Sequence, residues 1–170
     1  MEKETNVWSG RPSQLINFSK FLIITALCVC LFYFIPNKYF SIIIYKDFRL
    51  IHIMVLLLIV SALLILYYFF NIYTCHIEIT SERLMIYSGV FTREREEIEI
   101  YRIKDYKVIT PFAWRIFDIS NIILYTSDRT TKNPFLPGIK KAYKVVDLIR
   151  DSVEKQRVLK GVKEFDHNVL

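Results

Sequence analysis

Four cations in one short segment, YRIKDYKVITPFAWR, are the residues whose types and spacing first suggest chemistry: Arg102, Lys104, Lys107 and Arg115. That chemistry is electrostatic. A Lys or Arg near an anionic surface contributes about 1 kcal/mol, so the set is a candidate contact patch for lipid phosphates or an acidic partner. Glu99 and Asp105 stand beside it and oppose the effect. The competing reading is a solvated face, the usual role of mixed-sign runs. Lys140, Lys141 and Lys144 form a secondary patch at the start of an expected helix. Cations are better placed at a helix C-terminus, which favours a use in binding, against the commoner reading of a plainly solvated face. Trp8 and Arg11 are candidate interface anchors, with Trp at headgroup level and Arg on phosphate. The alternative is a tail that folds back and packs Trp8 on the domain that follows.

Other chemistries lack their residues. The chain has no Gly-rich phosphate loop, no metal-spaced Cys/His set and no serine elbow. Cys75 and His76 are neighbours, so on a strand they point to opposite faces and make poor joint ligands. His52 lies at the edge of an apolar run with no acidic or basic partner inside that run, which suits a boundary residue. The expectation is no catalytic residue, no metal, no cofactor and no enzyme activity. A net charge of +6 permits attraction to an anionic membrane but does not suggest nucleic acid.

The elements that must position these residues divide the chain. FSKFLIITALCVCLFYF (Phe18 to Phe34) and IHIMVLLLIVSALLILYYFF (Ile51 to Phe70) are interrupted only by Lys20 and His52. A helix needs about 20 mostly apolar residues to cross the hydrocarbon core, and lipid admits helices but not lone strands. Aromatic residues cluster at the ends of both runs, as in an interfacial belt. The expected organisation is an N-terminal tail (1–17), a transmembrane helical hairpin (18–70, spans about 18–35 and 51–70), a water-soluble domain (71–158) and a C-terminal tail (159–170). Lys and Arg counts on either side of the spans tie, so they guide orientation weakly. Cys28, Cys30 and Cys75 have no evident disulfide partners and need no oxidising compartment. Both termini are expected in the cytoplasm.

The second half alternates. IYTCHIEIT (Ile72 to Thr80), RLMIYSG (Arg83 to Gly89) and VFTREREEIEI (Val90 to Ile100) predict three strands, the third solvated early and returning Ile98 and Ile100 to the core. A fourth strand is expected near RIKDYKVITP, with Ile103, Tyr106 and Val108 inward. A helical turn at PFAWRIFD should form an aromatic plug from Phe112, Trp114 and Phe117. ISNIILYTS and FLPGI complete the strands. Lys140 to Arg157 predicts an amphipathic helix with Ala142, Val145, Val146, Ile149 and Val153 as its stripe. Strands closed by one helix give an α+β unit with a strongly bent sheet.

WSGRPS ahead of the hairpin, ITSERLMIYSGVFTREREEIEIYRIKDYKV after it, then WRIFDISNIILYTSD and FLPGIKKAYKVVDLIRD, together resemble the bacterial pleckstrin-homology-like (PH-like) membrane proteins of the YdbS-like type. The resemblance covers nearly the whole chain and rests on the order of its motifs. One departure is Asp118, where many members carry Gly in the corner between helical turn and strand. It implies an α+β fold: a two-helix transmembrane hairpin followed by a PH-like split β-barrel capped by a C-terminal helix. It implies no reaction. The expected function is a non-enzymatic membrane protein of the bacterial inner membrane. Its PH-like module would meet a membrane or cytoplasmic protein partner and anionic lipid headgroups. The alternative is an accessory subunit of a transport or envelope stress-response assembly acting through the hairpin. Small residues suited to helix packing are few there: Ala26, Ser61 and Ala62.

Overall fold

Apolar runs and alternating segments become helices and strands in the computed structural model, which describes residues 4–34, 43–45, 48–128 and 131–161. In chain order the elements are β1 (Asn6–Gly10), α1 (Phe18–Phe34), β2 (Ile43–Tyr45), β3 (Phe48–Arg49), α2 (Leu50–Thr74), β4 (His76–Thr80), β5 (Arg83–Ser88), β6 (Glu94–Glu99), β7 (Ile103–Ile109), β8 (Ile119–Thr126), β9 (Phe135–Lys140) and α3 (Ala142–Lys160). Short 3-10 turns lie at Gln14–Asn17, Ile100–Arg102 and Phe112–Phe117. The chain forms two units: Gln14–Asn71, and the residues through Ser13 together with those from Ile72 onward.

In the helical unit, apolar side chains point outward. Of the residues in the most apolar stretch of each long helix, 6% are buried. That is the reverse of a core helix. The two helices are joined by polar clasps at one end. The buried Asn17 amide donates to the Tyr68 carbonyl at 2.7 Å, and the Gln14 amide donates to the Phe69 carbonyl at 3.1 Å. The Lys20 ammonium sits 4.4 Å from the centre of the Tyr68 ring. Toward the other end, Cys28, Leu31 and Phe32 face Met54, Leu57 and Leu58. The helices are therefore antiparallel. The segment between the two helices contains a small ladder pairing β2 with β3.

Alternation from Ile72 predicts a strand there, but α2 continues through Thr74 and the strand starts at His76. The ladder with β5 begins at His76 opposite Tyr87, so Ile72 to Cys75 have no strand to pair with. They complete a helical turn instead, and the Cys75 N–H donates to the Ile72 carbonyl at 3.2 Å.

The globular unit holds two antiparallel sheets, ordered β1-β4-β5-β6 and β7-β8-β9. Period-two patterning sends Ile77, Ile79, Leu84, Ile86 and Ile98 inward from the first and Ile122 and Leu124 from the second, while a register shift in the β8–β9 ladder lets Leu136 and Ile139, three residues apart, both face the core. All five stripe residues of α3 join this core. The helix is longer than expected, ending at Lys160 with left-handed Gly161 donating to the Arg157 and Val158 carbonyls. β6 and β7 belong to different sheets, and the turn Ile100–Arg102 carries the chain between them.

Three further expectations change. The third strand begins at Glu94, because the left-handed Gly89 opens a bend over residues 90–92. Tyr106 lies opposite buried Leu124 yet stays exposed, while Ile103 and Val108 meet the core. The aromatic plug does not form. Phe112 is 84% exposed, and no residue of its turn is buried. Aliphatic side chains from both sheets and α3 already fill the core. At the corner itself, Asp118 adopts the left-handed conformation that Gly favours (φ 52°). Asp tolerates this region better than most residues. Its carbonyl accepts from the Lys141 N–H at 2.9 Å.

Candidate binding surfaces of the globular unit

The four cations of the predicted contact patch are spread along β7 instead of converging. Arg102 precedes the strand, Lys104 and Lys107 lie within it, and Arg115 follows it in the next turn. A seven-residue strand separates the ends by roughly 20 Å. Arg102 is engaged internally: its guanidinium lies 2.8 Å from Glu99 and 3.4 Å from Asp128. Tyr101 sits between the Arg102 guanidinium (5.7 Å) and the Lys160 ammonium (4.1 Å), measured to the ring centre. The Tyr101 hydroxyl, followed by the charges of Arg102 and Lys160, holds the Glu99 carboxyl below its usual range. Lys104 lines a cleft with Arg150, Glu154 and Arg157 of α3. Arg115 lies 5.8 Å from the Phe112 ring centre, beside exposed Ile116 and Phe117.

Lys140, Lys141 and Lys144 do stay together, exposed at the β9–α3 junction. Lys141 takes the left-handed conformation (φ 52°) that turns the chain into the helix.

Trp8 and Arg11 belong to the globular unit, although both helices separate them from it in sequence. β1 pairs with β4, and Val7 and Trp8 pack against the core. The WSG motif then has a structural reason. The Trp8 ring lies over Gly10, where an added Cβ would come within 2.5 Å of it. Gly10 is opposite Ile77, so Arg11 follows level with His76, and its guanidinium lies 5.1 Å from the Tyr73 ring centre.

Here a site emerges that no linear stretch announces. His76, Tyr87 and Arg95 are cross-strand neighbours in register on β4, β5 and β6. With Arg11, Tyr73, Thr74, Ser88, Gly89, Arg93 and Glu94 they line a cleft of about 420 Å³. Tyr87 stacks on His76 at 6.2 Å, and Arg95 lies 5.5 Å from the Tyr87 ring centre. Carboxylates temper two members: Glu78 lies 3.0 Å from His76, and Glu97 lies 3.0 Å from Arg95. Arg93 is exposed and makes no ion pair among the described residues. Its three arginines come from beyond β1, from the β5–β6 bend and from β6, so only strand register unites them.

Among the described residues, no group of three or more His, Cys, Asp or Glu side chains is placed to hold a metal ion. The Cys75 thiol is buried, which pushes its pKa up and keeps it protonated.

Two antiparallel sheets and a helix over one aliphatic core make a small α+β domain, and its family match puts it in the PH-like class, whose members generally serve as binding modules. The family model described as "Bacterial PH domain" matches residues 20–153, and the chain belongs to that family. No curated protein matches it. Among solved structures it is similar to a DUF1696 family protein with a pleckstrin-homology domain from Shewanella loihica PV-4. The identity is 15%, over 48% of this chain and 73% of that one, with a TM-score of 0.39. It is also similar to a pleckstrin homology domain from Shewanella amazonensis SB2B. There the identity is 18%, over 46% of this chain and 66% of that one, with a TM-score of 0.36.

Proposed function

We propose that the protein is a non-enzymatic, two-span protein of the bacterial cytoplasmic membrane whose PH-like domain, a split barrel capped by α3, binds a protein partner and anionic lipid headgroups. The observation that carries this reading is the outward-facing apolar surface of α1 and α2. With 6% of each helix's most apolar stretch buried, these side chains need an apolar medium outside the chain. The β1–β4 pairing supports two crossings in particular. β1 precedes α1 and β4 follows α2, so the chain must return to the side it left. Both termini are then on one side, assigned here to the cytoplasm. Exposed Phe112, Ile116 and Phe117, with Arg115 among them, support a protein contact at that turn.

Alkaline carbonate extraction of membranes carrying the full chain tests the anchoring. Retention in the pellet is expected, and release into the supernatant overturns it. A photo-crosslinking residue at Phe112 tests the contact. A discrete protein adduct that disappears with Ile116→Asp is expected, and labelling of lipid alone overturns it.

A further inference from the structure

We infer that the cleft between the β5–β6 bend and the end of α2 is an anionic lipid site, with Arg11, Arg93 and Arg95 holding the phosphodiester of a headgroup. The inference deepens the proposed function and rests on its membrane anchoring.

Three observations converge on this cleft. First, its charge is positive and partly uncommitted. Neither Arg93 nor Arg11 makes an ion pair among the described residues, and the Arg11 guanidinium lies against the face of Tyr73. Guanidinium groups present paired donors that match a phosphate's oxygens. Among the described residues Glu94 is the one carboxylate lining the cleft, and Glu97 pairs with Arg95, so the three arginines are opposed only in part.

Second, Tyr73 and Thr74 in its wall are the last residues of α2. A site that shares residues with the end of a membrane span lies at headgroup depth, and tyrosine is the side chain favoured at that level.

Third, the bend that contributes Gly89 and Arg93 carries Phe91 between them, and Phe91 is 91% exposed. Gly89 makes this bend possible: its φ is 102°, and an added Cβ would meet the Thr92 carbonyl oxygen at 1.8 Å. An exposed ring beside a basic cleft fits a lipid better than free phosphate, since the ring has acyl chain to enter while the arginines hold the headgroup.

The test uses the full chain purified in a neutral detergent, titrated with dioctanoyl phosphatidylglycerol, dioctanoyl phosphatidylcholine or inorganic phosphate, with thermal stabilisation as the readout. Phosphatidylglycerol should stabilise it and phosphatidylcholine should not. The double variant Arg11→Ala/Arg93→Ala should bind phosphatidylglycerol roughly thirtyfold more weakly, one surface-cation contribution for each arginine. Arg93→Gln alone should weaken binding about fivefold. A control that removes two exposed charges elsewhere, Lys132→Ala/Lys155→Ala, should change nothing. Equal affinity in the wild type and both arginine variants overturns the site. Equal stabilisation by inorganic phosphate and phosphatidylglycerol overturns the lipid assignment. Because the titration is done in detergent, these results are independent of the carbonate extraction, and each identifies which claim has failed.

Discussion

Leu63 in α2 is 60% exposed, while Leu84 in β5 is 1% exposed. The same side chain is placed oppositely in the two units of one chain. In the globular unit, aliphatic residues from two sheets and α3 exclude water from one another. In the helical unit most of them face outward, and the pair is joined by an apolar contact of Cys28, Leu31 and Phe32 with Met54, Leu57 and Leu58 and by the Asn17 and Gln14 amides on carbonyls near the end of α2. Residue type alone therefore does not decide exposure. A strand pairs with neighbours and offers one face to a core, whereas a uniformly apolar helix has no face to prefer.

The sharpest way to break this comparison is a matched pair of truncations. Leu84→Ala should cost about 2–5 kcal/mol of domain stability through lost burial and a cavity, whereas Leu63→Ala should leave the same domain's unfolding transition in place. Denaturant unfolding of the full chain in detergent, followed by near-UV circular dichroism, checks both. Equal losses would mean that the two units share one cooperative core. Next in size, Trp8→Ala should destabilise the globular unit by about 1.5–3 kcal/mol, because the ring packs on that core from across the helical segment. An unchanged midpoint would detach β1 from the domain.

Gly89→Ala should cost more than about 1 kcal/mol, since it places a Cβ where φ is positive and the Thr92 carbonyl is close. A smaller shift would mean that the bend relaxes freely. The acid response should be smaller still. Glu99 is held below its usual value of 4.5 in the folded protein. The unfolded carboxyl therefore protonates first, and the associated stability is present at neutral pH. It is lost as pH falls through the lowered folded value. Melting temperatures recorded between neutral pH and about pH 3 should fall less steeply for Glu99→Gln than for the wild type, and identical slopes would remove Glu99 from the account. The smallest effect is expected at the surface turn: Phe112→Ser should stay within about 0.5 kcal/mol by thermal melt, although it would remove the proposed partner contact.

Much of this architecture was legible in the sequence because periodicity is a local property. The two apolar runs became α1 and α2, the five-residue stripe of α3 is buried as its spacing required, and Ile98 and Ile100 return to the core after a charged strand. Expectations changed where a partner segment had to choose. Residues 72–74 alternate like a strand but lack one to pair with, so they extend the helix. PFAWRIFD has the composition of a plug but follows β7 at the rim of a core already filled. The predicted cation set was read from proximity in sequence, which an extended strand turns into distance in space.

By itself, the sequence determined the division into an apolar helical half and a charged globular half, the α+β class of the latter, and the character of most core positions. These follow from side-chain periodicity acting within a few residues. The tertiary structure alone decided that the tail before the helices supplies a strand to the sheet after them, and that Arg11, Arg93 and Arg95 share one cleft with His76 and Tyr87. Both depend on strand register, which pairs residues far apart in the chain through backbone hydrogen bonds whose partners no local pattern specifies.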